Sequence, residues 1–204
     1  MHYTLSNLIQ INKKIKDKIN ELSISEYNPK VIAVSKTFTE EDIMPLIEYG
    51  HCEFGENKVQ EAQKKWPKLK EKNKNLKLHM LGKLQTNKVK QAIKIFDYIH
   101  SVDSKKLAKK IADEEIKQGK KIKIFIQVNI GDEEQKSGVD KSSVYELYSY
   151  CKEINLNVIG LMCIPPLTKS SDTYFKEMNI LNKNLNLNEL SMGMSSDYLD
   201  AIKN

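Results

Sequence analysis

The sequence predicts a β/α barrel of the TIM type, on three observations. Short β-branched runs alternate strictly with amphipathic stretches along the 204 residues, the runs end in Gly, Asn, Ser or Pro clusters, and one more helix precedes the first run. Parallel neighbours need a crossover, which helices supply compactly. The length suits a single domain over residues 1–204 with a real core.

The elements follow in order. Leu5, Leu8, Ile11, Ile15, Ile19 and Leu22 form one apolar stripe with lysines opposite, an amphipathic helix. After Tyr27-Asn28-Pro29 comes Val31-Ile32-Ala33-Val34, a buried strand, then Thr39-Glu40-Glu41-Asp42, a capping sequence for a helix that ends at Tyr49-Gly50. A second strand at 52–54 leads into a helix over 59–66 that Pro67 is expected to stop. Strands over 77–81, 98–102, 121–130, 158–164 and 190–194 follow. Helices are expected over about 86–96, from Asp103 or Ser104 to Gln118 with Gly119 as the stop, 142–154, about 172–184, and after Asp197. In such barrels chemistry gathers where strands end and helices begin.

Composition excludes several classes. The chain carries 33 basic and 27 acidic residues, net +6, and every basic one is lysine. Without arginine there is no bidentate grip on phosphate or guanine, so a nucleic-acid partner is disfavoured despite a pI near 9.0. The lysines, spread between glutamates, read as solvated helix faces. No apolar run approaches the ~18 residues of a membrane span, and the first residues lack a signal-peptide core, so a cytoplasmic protein is expected. Cys52, Cys151 and Cys163 have neither disulfide nor zinc spacing, and His2, His51, His79 and His100 are dispersed, so no metal site is expected. Gly131 to Ser137 lacks the glycine a P-loop needs before its lysine, and no GxGxxG occurs.

Three strand exits carry candidate chemistry. Ile32, Val34 and Lys36 share a face by the period of two, placing a lysine at the end of a buried strand, where desolvation makes an amine a better nucleophile; a lysine snorkelling to the rim is the plain alternative. Phe54-Gly55-Glu56-Asn57 sets hydrogen-bonding side chains at a helix start. Ser191-Met192-Gly193-Met194-Ser195 brings hydroxyls beside a helix N-terminus, an anion site or an ordinary cap by Ser195 or Ser196.

Taken in order, these exits resemble the YggS/PROSC family of pyridoxal-phosphate homeostasis proteins. The resemblance rests on residues 31–37, 54–61, 79–88, 100–103, 127–130 with Lys136-Ser137-Gly138, 160–165 and 190–195, nearly the whole chain. It implies a barrel like the N-terminal domain of alanine racemase that holds pyridoxal 5′-phosphate (PLP) as a Schiff base on Lys36. Asn57 is then expected near the cofactor ring, and Ser191 and Ser195 near its phosphate. Members of the family normally continue beyond the position of Asn204 with an eighth strand, a phosphate-binding turn and a last helix. The resemblance therefore implies a barrel lacking that strand and helix, open at one seam, with weaker PLP retention than a full-length relative.

The function expected is a non-catalytic PLP carrier acting in intracellular PLP homeostasis. Its partners would be PLP and PLP-dependent apo-enzymes, with no membrane or nucleic acid, and the chain is read as a monomer. The alternative is a racemase-like PLP enzyme, although alanine racemase chemistry draws a second acid/base from an additional β-rich domain.

Overall fold

The computed structural model describes residues 1–24, 26–133, 137–166 and 170–204. Lys136, quoted above in the family pattern, lies outside the described residues. Helix α1 (Tyr3–Glu21) precedes β1 (Ala33–Val34), α2 (Glu40–Glu48), β2 (Glu53–Glu56), α3 (Val59–Lys72), β3 (Lys77–Met80), α4 (Val89–Ile95) and β4 (Tyr98–Val102). Then come α5 (Lys105–Gln118), β5 (Lys123–Asn129), β6 (Val139–Asp140), α6 (Val144–Glu153), β7 (Asn157–Met162), α7 (Ser171–Asn184), β8 (Glu189–Ser191) and α8 (Tyr198–Ile202). All pairings are parallel, in the order β1-β2-β3-β4-β5-β7-β8, so every strand delivers its C-terminal end to the same rim. The extra β6, not expected from the sequence, pairs with the end of β5 through Val128–Val139 and Asn129–Asp140.

Local signals set many boundaries. Thr39 and Asp42 form the reciprocal capping box of α2, Ser104 caps α5, and Gly119 ends α5 in the left-handed region at φ 60°. Pro67 does not stop its helix: α3 runs on to Lys72, with Trp66 and Leu69 buried on one side. The residue four positions back, Gln63, is exposed, so water reaches the carbonyl that loses its donor.

Helices cover the outer face of the sheet. Phe54, Leu78, Ile99, Ile124 and Leu161 are fully buried there with Trp66 and Ile111 in one continuous apolar layer. The two edge strands β1 and β8 are not hydrogen-bonded to each other among the described residues, in keeping with the expected seam. Helix α1 packs on both α2 and α8, the helices that follow these edges, so it closes the helical ring over the gap.

Several lysines are braces rather than solvated faces. Lys70 and Lys120 hold the carbonyls that end α4, at Ile95, Ile93 and Phe96, and Lys121 ties Glu115 to the carbonyl of Asn155. Cys151 and Cys163 are buried, and burial pushes both thiols up to about 12, so they behave as small apolar residues. Among the described residues no helix is long and apolar enough to cross a membrane, and no cluster of metal-ligating side chains occurs.

Candidate functional site

The first exit is anchored from below. Ser35 donates its N–H to the carbonyl of Gly55 at 2.9 Å and its hydroxyl to Glu56 Oε1 at 2.9 Å. Lys65 Nζ donates both to the carbonyl of Ser35 (2.7 Å) and to Glu56 Oε1 (2.9 Å), and Trp66 Nε1 donates to the same oxygen at 2.9 Å. Glu56 is wholly buried, so this set of donors compensates a carboxylate in the apolar layer, although its Oε2 has no partner among the described residues. The turn of residues 35–38 that carries Lys36 is thereby fixed to β2.

Lys36 itself is exposed, in the turn just past β1; its carbonyl accepts from the Thr37 hydroxyl at 2.6 Å, and its side-chain amine makes no hydrogen bond or ion pair among the described residues. The expectation of a desolvated amine is corrected here. A two-residue edge strand has no neighbour on its open side to exclude water, and Val34 beside it is 41% exposed. What the structure offers instead is an unpaired primary amine held on an anchored turn.

Asn57 stands one strand away. Val34 pairs with Gly55, so Lys36 and Asn57 each lie two residues past the last β1–β2 pair, on adjacent exits. Asn57 is half-buried, and its main chain passes so close to Gly82 that a Cβ there would lie 2.3 Å from the Asn57 carbonyl oxygen. Glycine is required for that approach. A cleft of about 320 Å³ between the exits of β2 and β3 is lined by Asn57, Gln60, Lys83, Gln85 and Lys88.

At the other edge, β8 ends at Ser191 and the chain turns over residues 193–197. Gly193 adopts φ +88°, with Ala201 and Tyr198 2.9 Å from where a Cβ would sit. Neither serine caps the following helix: Asp197 is the N-cap residue, and its carboxylate accepts from the N–H of Met194 at 2.5 Å. Because α8 has only five residues, any anion affinity here belongs to the turn rather than to a helix dipole. The main-chain N–H groups of Ser195 and Ser196 and the exposed hydroxyl of Ser195 have no partner among the described residues.

Ser191 points elsewhere. Its Oγ lies 2.7 Å from Nδ1 of His100, whose Nε2 lies 2.9 Å from Nδ1 of His79, whose Nε2 lies 2.8 Å from Glu53 Oε2. This chain crosses the inside of the barrel from β8 through β4 and β3 to β2. His79 stacks on Tyr98 with ring centroids 4.2 Å apart, and His100 on Phe125 at 4.3 Å; both histidines are buried. Their dispersal along the sequence hid this pairing. The signal available was positional: each stands on a neighbouring strand of a parallel sheet, facing the same side as the strand residues two positions away.

Comparison with known proteins places this architecture. The alanine racemase N-terminal domain family model matches residues 12–204. A pyridoxal phosphate homeostasis protein of Aquifex aeolicus is 36% identical over 96% of this chain and 90% of its own length. PipY of Synechococcus elongatus, solved without PLP and with PLP bound, superposes with a TM-score of 0.79 at 33% and 32% identity, covering 93% of both chains. An alanine racemase of Clostridium difficile shares the fold at a TM-score of 0.62 and 14% identity, over 91% of this chain and 50% of the racemase.

Proposed function

The chain belongs to the pyridoxal phosphate homeostasis protein family, and from that premise we propose that it binds PLP and acts in intracellular PLP homeostasis, holding the cofactor as a Schiff base on Lys36 without robust catalysis. The observation that carries the reading is the unpaired amine of Lys36 at the same rim as a turn with unpaired N–H donors. The donor set fits the group: the aldehyde of PLP condenses with a primary amine and releases water, and its phosphate needs N–H and O–H donors.

In this reading each residue has a distinct task. Lys36 supplies the covalent attachment, and the Ser35–Glu56–Lys65 contacts hold its turn in place. Asn57, on the neighbouring exit, offers its side-chain amide to the ring. Ser195, with the N–H groups of its turn, takes the phosphate; Ser191, expected from the sequence to share that task, turns its hydroxyl inward onto His100 instead. An exposed Lys36 also suits a carrier, because an attachment open to water and to other amines is one that exchanges. The recipients are PLP-dependent apo-enzymes of the cytoplasm.

The test is borohydride reduction with PLP, intact mass measurement and peptide mapping. A single label on Lys36 is expected, lost in Lys36→Ala with stability unchanged within about 0.5 kcal/mol because the side chain is exposed. Label scattered over many lysines would count against the reading.

A further inference from the structure

The balance of lysines and acids breaks down in one stretch of the chain. Residues 62–96 hold eleven lysines and a single acid, Glu71, a net +10 in a chain whose total is +6, so everything outside this stretch sums to −4. A general drift towards lysine would raise lysine everywhere and would not strip acids from one segment. The stretch forms most of α3, with β3 and α4, and the two helices are packed neighbours on the outside of the barrel.

Local stability does not account for the excess. Lys65 and Lys70 are engaged, with Glu56 and Asp97. The amines of the other nine make no hydrogen bond or ion pair among the described residues, and all nine except half-buried Lys88 are exposed. Lys64, Lys68 and Lys72 follow one another four residues apart along α3, as Lys90 and Lys94 do on α4, and like charges at that spacing weaken a helix. Helix α5 shows the stabilising arrangement, with Lys109–Asp113 and Lys110–Glu114 closed as ion pairs at the same spacing.

This basic face reaches the mouth of the barrel. Lys83 and Lys88 line the cleft of about 320 Å³ that Asn57 also lines, and Lys36 stands on the adjacent exit. Further round, the rim carries acids instead: Asp132 after β5, Asp140 in β6 and Asp197 after β8. A negatively charged partner approaching the mouth is therefore drawn to the β2–β3 side and repelled from the β5–β8 side.

The chemistry of the face favours a protein as that partner. Exposed lysines are solvated point charges, which together steer a macromolecular anion but grip a single small carboxylate weakly. No arginine is present to fork onto phosphate, and Trp66, the one aromatic on α3 or α4, is buried, so nothing there stacks a base. None of the exposed large apolar side chains falls between Tyr49 and Ile116, so the face offers a bilayer nothing to bury.

We propose that the lysine face of α3 and α4 docks an acidic surface of the apo-enzyme that receives PLP, bringing the recipient's own lysine to Lys36. This rests on the reading of Lys36 as the site of attachment. In the exchange the recipient's amine adds to the Schiff-base carbon, its two protons pass to the Lys36 nitrogen, and the bond from that nitrogen to the carbon breaks. One Schiff base replaces another, and no water, oxidant or reductant is consumed.

The first test is association. The full chain, with PLP fixed on Lys36 by borohydride so that nothing transfers, is mixed with an apo-aminotransferase of net negative charge in stopped-flow anisotropy. The association rate should fall about tenfold between about 20 and 500 mM NaCl. At low salt it should also fall about tenfold in Lys64→Glu/Lys68→Glu/Lys90→Glu. Lys13→Glu/Lys14→Glu/Lys16→Glu, on exposed positions of α1, changes the net charge equally and should lose no more than about threefold. With both variants shown folded by their thermal melts, equal losses in the two, no loss in the α3–α4 variant, or a rate indifferent to salt overturns the docking.

The second test uses the unreduced chain. Transfer of PLP should accelerate in proportion to the concentration of the apo-aminotransferase, whereas a rate independent of it marks release into water first and overturns the proposal. Absence of borohydride label on Lys36 removes the functional reading itself, and is read separately from either rate. Binding of a short single-stranded oligonucleotide that is lost in the α3–α4 variant, without association of the apo-aminotransferase, assigns the face to nucleic acid and likewise overturns the docking.

Discussion

The two faces of this sheet are made from the same strands, yet they are held by different physics. Outward, Phe54, Leu78, Ile99 and Ile124 meet the helices in a dry layer whose attraction has no direction. Inward, the neighbouring residues Glu53, His79 and His100 form a chain in which each contact needs one donor and one acceptor. An apolar layer tolerates modest repacking, whereas a buried polar chain must be satisfied at every link. Glu56 is the exception that sharpens the contrast. It faces the apolar side, and three donors on its Oε1 stabilise it there.

The comparison can be broken in order of size. Trp66→Ala empties the fully buried centre of the outer layer and should cost about 3–5 kcal/mol in urea unfolding. A loss below 1 kcal/mol would mean that the layer is far looser than described. Glu56→Gln keeps an acceptor but removes the charge facing Lys65, and should cost about 1–3 kcal/mol. Equal stability with undiminished Lys36 labelling would show that the anchor beneath the turn is unnecessary.

The smallest effect is a pH dependence, expected from buried His100 on the inner face and, in the same direction, from half-buried His51 before β2. The folded pKa of His100 is depressed below 6.5, so its contribution is fully present above pH 6.5. It is lost as pH falls from there towards the folded value, because the unfolded chain binds a proton that the native ring refuses. Glu53, lowered from 4.5, adds a separate loss only below that pH. Melting temperatures should therefore decline between pH 7.5 and 5, and a flat profile would contradict a buried neutral His100.

What was legible in the sequence was local or periodic. The order of strands and helices, the Thr39–Asp42 box, the Ser104 cap and the Gly119 stop depend on neighbours within a few residues, and each is present. Pro67 was misleading because its cost is set against the burial of Trp66 and Leu69, which depends on distant strands. Lys36 was found by its place at a strand end, but its exposure was not, since water access depends on whether the edge beside it is covered. The histidine pair and the bracing lysines were missed because the partner ring or the braced carbonyl lies 21 or more residues away, as in His79–His100 and Lys70–Ile95.

The sequence alone determined the parallel barrel architecture and the strand exits at which Lys36, Asn57, Ser191 and Ser195 stand. Periodicity and turn chemistry act over a few residues and need no knowledge of the whole. Only the tertiary structure decided which groups meet: that Glu56 anchors the Lys36 turn instead of facing the mouth, and that Ser191 turns inward onto His100. Strand register and curvature convert separations of 21 and 91 residues into contacts of 2.9 and 2.7 Å.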